Sequence, residues 1–170
     1  MQPEHLAREL AELHAASFGW ALACCGRDRS AAADVLQDAY WKVLDGKARF
    51  DGRAALKTWF FSVIRFTASE RRRSVLKWFR RSDEPERETP ASSSGKPDRV
   101  AERGESAARL SRALAKLAPR QREVLHLVFY EGLTVDEAAS IMAVSVGSAR
   151  QHYDRGKTRL KELLDEPTGP

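Results

Sequence analysis

One stretch decides the fold: residues 134–155 read TVDEAASIMAVSVGSARQHYDR. Thr134 and Glu137 have the spacing of a capping box, in which each side chain satisfies a free backbone donor at a helix start. Ala139 is small where two helices would have to cross closely, and Ser145 is a residue type that caps a second helix. The pattern therefore predicts two short helices joined by a tight turn, a helix-turn-helix.

The second helix of this motif has side chains suited to DNA. Arg150 and Gln151 lie near its start, where Arg pairs bidentately with guanine and Gln with adenine in the major groove. Arg155 and Lys157 follow, with further basic residues that reach phosphates. An ordinary amphipathic hairpin with a solvated charged face is the alternative interpretation. The coincidence of cap, small residue, turn and basic helix in one stretch favours DNA.

Composition sets the limits of the rest of the chain. Its 170 residues include 29 Lys and Arg against 24 Asp and Glu, a net charge of +5, and 42% are hydrophobic. That content is enough for a folded core. No apolar run approaches the ~18–20 residues that span a bilayer, and the N-terminus lacks the apolar segment of a signal peptide. We therefore expect a cytoplasmic protein without membrane insertion.

Residues 82–104 divide the chain in two. They contain three prolines, three consecutive serines and no aromatic residue, a composition that cannot offset its chain entropy by burial. On either side the apolar spacing is helical. It predicts helices at about 3–25, 30–44 (capped by Ser30), 54–81, 105–117, 119–130, 134–142 and 145–164. We expect an all-α fold: two small helical domains, 1–81 and 105–170, joined by a flexible linker over 82–104.

Signatures of catalysis and of metal or cofactor binding are missing from the sequence. The four histidines have no ligand spacing with each other or with the cysteines, and there is no phosphate-binding glycine loop or nucleophile elbow. We expect a non-enzymatic protein with no metal and no cofactor. Cys24 and Cys25 are adjacent, a geometry that strains a disulfide. They are interpreted as buried or half-buried thiols, with a redox switch as the alternative.

The N-terminal domain carries two charged surfaces. Seven basic residues and one acid lie between Arg65 and Arg81, interleaved with aromatic residues. Cations beside exposed rings suit single-stranded nucleic acid, although a solvated charge run over core aromatics is also consistent. Asp34, Gln37 and Asp38 share one helix face. This acidic patch is either simple solvation or a docking site for a basic partner.

Together these stretches resemble the extracytoplasmic-function (group 4) sigma factors of bacterial RNA polymerase. The segments ADVLQDAYWKVL (33–44) and FDGRAALKTWFFSVIRF (50–66) are similar to the second conserved region of the family. The segment LAPRQREVLHLVFYEGLTVDEAASIMAVSVGSARQHYDRGKTRLKELL (117–164) is similar to the fourth. The resemblance implies a promoter-specificity subunit whose partners are core RNA polymerase, promoter DNA and an inhibitory anti-sigma factor.

The resemblance also implies residue roles. Contacts to the largest polymerase subunit would be made by Asp34, Gln37 and Asp38. The minus-ten element would be bound by Arg53, Lys57, Thr58, Trp59, Arg65, Arg72 and Arg73. The minus-thirty-five element would be read by Arg150, Gln151 and Arg155, with Lys157 on the phosphates. Phe66, Glu70 and Asp154 depart from the residues common in the family, which bears on promoter preference.

Two other functions fit parts of this sequence. A stand-alone helix-turn-helix regulator would bind duplex DNA without polymerase, but it needs neither the acidic patch nor the aromatic and basic helix. A helical protein-interaction adaptor would bind no nucleic acid at all, and it would not show salt-dependent retention on heparin.

Overall fold

The computed structural model describes residues 3–81 and 103–166, and over these ranges its regular elements are helices. They are α1 (Pro3–Glu12), α2 (His14–Cys24), α3 (Arg29–Leu44), α4 (Leu56–Arg81), α5 (Arg103–Lys116), α6 (Pro119–Leu125), α7 (Val135–Met142) and α8 (Val146–Asp165), with a π-helical turn (His126–Tyr130) directly after α6. None of the described helices is long and apolar enough to cross a membrane. The linker predicted for 82–104 lies outside the described residues, except for 103 and 104, which belong to α5.

Two predicted helix boundaries are wrong. The helix expected over 3–25 is interrupted at Leu13, whose ψ of −2° departs from the helical value. The predicted cap Ser30 lies inside α3, which Asp28 caps by accepting a hydrogen bond from the Ala31 N–H at 3.0 Å. The physical reason is the turn before it: Gly26 and Arg27 both have positive φ, so the chain enters the helix at Asp28. Asp is as good a cap as Ser.

The helix-turn-helix prediction is confirmed in detail. Thr134 Oγ1 accepts from the Glu137 N–H at 3.2 Å, and the Glu137 carboxylate accepts from the Thr134 N–H at 2.8 Å. Ser145 caps α8 by accepting from the Ser148 N–H at 3.1 Å. The three-residue turn between the helices contains Ala143 at φ 53°, a left-handed conformation that ends α7 and redirects the chain into α8. These local bonds fix the angle at which α8 is presented.

A single apolar core joins the two halves of the described chain. Trp20 of α2 is fully buried, and its indole N–H donates to the Phe61 carbonyl of α4 at 2.9 Å. The same ring lies 5.7 Å from the ring of His126 in the π-helical turn. Apolar residues from the C-terminal half complete this core: Val124, Leu127, Ala138, Ile141 and Met142. The arrangement is therefore closed, with α6 and α7 packed on α2 and α4.

A smaller core holds the C-terminal domain together, and a glycine in α8 permits its closest helix crossing. A β-carbon on Gly156 would lie 3.2–3.3 Å from Gln121 Cβ and from Leu125 side-chain atoms of α6. These distances are shorter than ordinary van der Waals contact, and Leu125 is buried. Gly147, in the same helix, has open space around it, with only the Ser145 hydroxyl at 4.0 Å. The two glycines therefore differ in packing but not in secondary structure.

We predict that Gly156→Ala lowers the free energy of unfolding by about 1–3 kcal/mol relative to Gly147→Ala. Both changes remove the conformational entropy of a helical glycine, which alone favours Ala by about 0.5–1 kcal/mol. Only the first forces α6 and α8 apart. Urea unfolding followed by circular dichroism measures the difference, and equal stability of the two variants would contradict the close crossing.

Candidate nucleic-acid interface

Helix α8, the second helix of the helix-turn-helix, has the side chains predicted to contact DNA on its solvent-exposed side. Ala149, Gly156 and Leu163 form the buried stripe of α8 at seven-residue spacing. Arg150, Gln151, Arg155 and Lys157 are all exposed. Arg150 has one carboxylate within reach, Asp136 of α7 at 4.0 Å, and Lys157 lies 4.4 Å from the centre of the Tyr153 ring. Exposed pairs at such distances are weak, so these side chains are available to DNA.

The acidic patch of α3 forms ion pairs with an arginine of α4, which the sequence did not reveal. Arg71 of α4 donates to the Asp34 carboxylate at 2.7 Å and to the Asp38 carboxylate at 2.9 Å. All three side chains are about half exposed, and Gln37 beside them is exposed. One guanidinium therefore holds both carboxylates on the same face. No local spacing could indicate this, since Arg71 is 33 residues beyond Asp38.

The residues expected to bind the minus-ten element divide into three groups. Arg53, Arg72 and Arg73 are exposed. Trp59 is half-buried with its ring 5.2 Å from Phe50, and Thr58 is half-buried next to it. Lys57 and Arg65 pair with carboxylates of the C-terminal domain, Arg65 largely buried and Lys57 half-buried. The structure therefore does not bring all seven side chains onto one open surface.

Two ion pairs across the domain boundary account for Lys57 and Arg65. Arg65 Nε lies 3.1 Å from a carboxylate oxygen of Glu123, with the side chains 11% and 1% exposed. Lys57 pairs with Glu131, which lies directly after the π-helical turn and is also 3.2 Å from His126 Nε2. Burial raises the pKa of Glu131, but the hydrogen bonds from His126 and Lys57 outweigh it, so this pKa lies below its usual value. Glu131 is therefore held ionised.

Arg122 makes a third link across this boundary. Its Nε donates to the Ala23 carbonyl at the end of α2 at 2.7 Å, and its Nη1 donates to the Leu117 carbonyl at 3.0 Å. Burial lowers the pKa of this guanidinium. Arg122, Glu123 and Glu131 were all missed from the sequence. Arg122 and Glu123 lie in a helix of mixed charge, Glu131 lies directly after the π-helical turn, and nothing in their spacing distinguishes a boundary residue from a solvated one.

Phe66 and Glu70, which depart from the residues common in the family, both contact Lys42. Lys42 of α3 donates to Thr67 Oγ1 at 3.1 Å and pairs with Glu70. The same ammonium group lies 5.1 Å from the centre of the Phe66 ring, and Phe66 is 55% exposed. Lys42 therefore fixes this part of α4 against α3.

The two cysteines are free thiols, Cys24 buried and Cys25 half-buried, as predicted. Burial raises the pKa of Cys24 well above its usual value. Burial also raises the pKa of Cys25 to about 11, although the cation of Arg72 opposes the shift. Among the described residues, no group of three or more His, Cys, Asp or Glu side chains is placed to hold a metal ion.

Comparison with known proteins identifies the family. The profile described as sigma-70 region 2 matches residues 11–79, and that described as sigma-70, region 4 matches residues 107–160. RNA polymerase sigma factor CarQ of Myxococcus xanthus is 29% identical over 160 residues, 90% of this chain and 86% of CarQ. ECF RNA polymerase sigma factor SigX of Bacillus subtilis is 25% identical over 82% of this chain and 73% of its own.

Solved structures share the fold. The sigma factor RpoE of Bartonella quintana, in complex with the anti-sigma factor NepR, superimposes with a TM-score of 0.74 at 24% identity, covering 96% of this chain and 99% of RpoE. CnrH, in complex with the cytosolic domain of CnrY, gives a TM-score of 0.65 at 20% identity, covering 98% of this chain and 92% of CnrH.

The chain belongs to the sigma-70 family, as an extracytoplasmic-function sigma factor with regions 2 and 4. It is a non-enzymatic protein that directs transcription initiation, and its family binds core RNA polymerase and promoter DNA. The N-terminal domain is called region 2 below, and the C-terminal domain region 4.

We predict that Cys25 of the folded protein resists alkylation. A free thiol has a pKa near 8.5, so at pH 8 a pKa of about 11 leaves roughly 200-fold less thiolate. Iodoacetamide labelling followed by mass spectrometry should show a rate that climbs to about pH 11, whereas the urea-unfolded chain reaches its plateau near pH 9. A folded-state plateau below pH 9 would instead support the redox-switch interpretation.

Proposed function

We propose that this sigma factor places two DNA-reading units on two promoter elements, with distinct residues for each contact. Region 4 reads the minus-thirty-five element through Arg150, Gln151 and Arg155, with Lys157 on the phosphates. Region 2 binds the minus-ten element through Arg53, Lys57, Thr58, Trp59, Arg65, Arg72 and Arg73. It docks on core polymerase through Asp34, Gln37 and Asp38. The observation that carries the proposal is the exposed basic recognition helix of a capped helix-turn-helix.

Support for minus-thirty-five reading comes from the orientation of α8. Its buried stripe packs on α6 and α7, so its exposed side turns away from the protein, as a helix entering a major groove requires. Arg150 and Gln151 are in the first two turns, where side chains meet base edges. Lys157 is two turns further on, where side chains meet the backbone.

Minus-ten binding by region 2 is supported by cations beside aromatic rings. Arg72 and Arg73 lie on exposed turns of α4, and Arg53 precedes the helix in the loop. Lys57 and Arg65 join this surface only when region 4 leaves it. Binding of both promoter elements therefore requires a more open arrangement of the two regions than the one described.

Control by an inhibitory partner is part of the proposal. The solved sigma factors RpoE and CnrH were each determined in complex with a partner, NepR and CnrY, and we extend anti-sigma control to this chain. We also propose a cytoplasmic location, since its relatives are polymerase subunits.

Reconstitution tests the function as a whole. The protein is mixed with core RNA polymerase and genomic fragments, and start sites are mapped in vitro. Specific initiation that depends on the protein supports the proposal. Duplex DNA binding without any stimulation of the polymerase would instead identify a stand-alone regulator.

For core docking, we predict that Asp38→Arg weakens binding to core polymerase at least tenfold, because it adds like-charge repulsion at a basic partner as well as removing a pair. The fold should be intact, since the Arg71 pair is half exposed and such pairs contribute only about 0–1 kcal/mol. Glu12→Arg, a charge reversal on an exposed residue of α1, is the control. Quantitative pull-down and circular dichroism measure the two effects. Unchanged binding by Asp38→Arg would exclude this docking site.

For base reading, we predict that Arg150→Ala and Lys157→Ala have different effects on promoter binding. Arg150→Ala should cost about 1–3 kcal/mol and relax preference at one upstream base pair, as loss of a bidentate base contact does. Lys157→Ala should weaken all promoters about equally and lower the salt slope by roughly one. Holoenzyme binding to single-base upstream variants at several salt concentrations separates them. Uniform losses with Arg150→Ala would reassign it to a phosphate.

A further inference from the structure

Two carboxylates of region 4 form ion pairs with cations of region 2 that are proposed to contact DNA. The pairs are Arg65 with Glu123 and Lys57 with Glu131, together called the interdomain latch here. We propose that Glu123 and Glu131 substitute for promoter phosphates at Arg65 and Lys57 and so weaken minus-ten binding by the free chain. The inference rests on the proposed DNA contacts of Lys57 and Arg65, and it adds a competitor for them within the same molecule.

At Arg65 the geometry makes this competition exclusive. A carboxylate and a phosphate both accept charge-assisted hydrogen bonds from a guanidinium. The Arg65 side chain is 11% exposed and the Glu123 side chain 1% exposed, with Arg65 Nε 3.1 Å from the carboxylate. A DNA phosphate therefore cannot reach this nitrogen until Glu123 has moved away. At the second pair Lys57 is 33% exposed, so a phosphate has to compete with Glu131 for an ammonium group that is only partly covered.

The ion pairs specify the closed arrangement more than they drive it. Removing two charges from water costs about as much as their attraction returns, so a buried pair adds little net stability. Closure is favoured instead by the apolar core that Trp20 shares with Val124 and Leu127. The latch ensures that this apolar contact forms without leaving a buried cation unpaired. When the regions separate, all four charges regain water, and the two cations become available to phosphates.

The latch affects only one of the two DNA surfaces. Arg150, Gln151 and Arg155 are exposed while the two regions are in contact. In the free chain α8 should therefore be accessible to duplex DNA, whereas the proposed minus-ten surface of region 2 should be incomplete. Polymerase binding that separates the regions would then switch on minus-ten capture, and a partner that bridges the closed regions would prevent it.

The test compares single-strand binding by the full chain with and without the latch. The variant is Glu123→Gln/Glu131→Gln, and the probe is a fluorescein-labelled 20-nucleotide single strand of mixed sequence. Each cation freed for a phosphate contributes about 0.7 to the slope of log K against log salt. We expect the slope of the variant to be steeper than that of the wild type by about 1.4, with tighter binding at low salt.

A charge-matched control separates the latch from net charge. Glu12→Gln/Glu105→Gln removes the same two negative charges from exposed positions outside the latch, and its slope should equal that of the wild type. Small-angle scattering should show a larger radius of gyration for the latch variant alone. If circular dichroism shows that the double variant does not fold, Glu131→Gln alone should raise the slope by about 0.7.

A salt slope for the latch variant equal to those of wild type and control would overturn the latch. If the radius of gyration increases while the slope is unchanged, the regions separate but the carboxylates cover no phosphate-binding cation. Failure of the proposed function is a separate outcome, because it is seen as absent initiation by wild-type holoenzyme.

Discussion

The buried indole of Trp20 is the contact on which the rest of the arrangement depends. Its N–H donates to the Phe61 carbonyl of α4, which fixes α2 against α4 inside region 2. Its ring lies beside His126, which seats region 4 on the same surface. One side chain thus contributes both to the core of a domain and to the boundary between domains. Two ion pairs lie at the same domain boundary, Arg65 with Glu123 and Lys57 with Glu131, and both carboxylate side chains are largely buried.

This closed arrangement places opposite demands on the same side chains. Cations that bind nucleic acid must be accessible, whereas a stable boundary must leave no charge unpaired. Glu131 and Glu123 of region 4 pair with Lys57 and Arg65 in the closed arrangement, so the proposed phosphate contacts of these two cations require the regions to separate. The acidic patch shows the same principle within region 2, where Arg71 holds Asp34 and Asp38. In each case the residues proposed to contact an external partner already have an internal ion pair.

The sequence predicted what depends on local spacing and missed what depends on distant pairing. The capping box at Thr134 and the cap at Ser145 could be predicted because three residues and the backbone suffice to form them. The exposed reading helix followed from the periodicity of α8. In contrast, Arg65 and Glu123 are 58 positions apart, and no pattern in the sequence pairs them. The prediction for Ser30 failed because the conformation of the preceding turn, not the type of the capping residue, decided where α3 begins.

The π-helical turn at His126–Tyr130 makes this boundary sensitive to chain length. The Glu131 N–H bonds to the His126 carbonyl, a span one residue wider than an α-helical turn. The additional residue delays the chain by about 100° of helical rotation before Glu131. A relative that lacked one residue here would continue as an ordinary α-helix and carry its acidic side chain to another face. Sigma factors with the same composition could thus differ in how tightly their regions associate, through a single insertion or deletion.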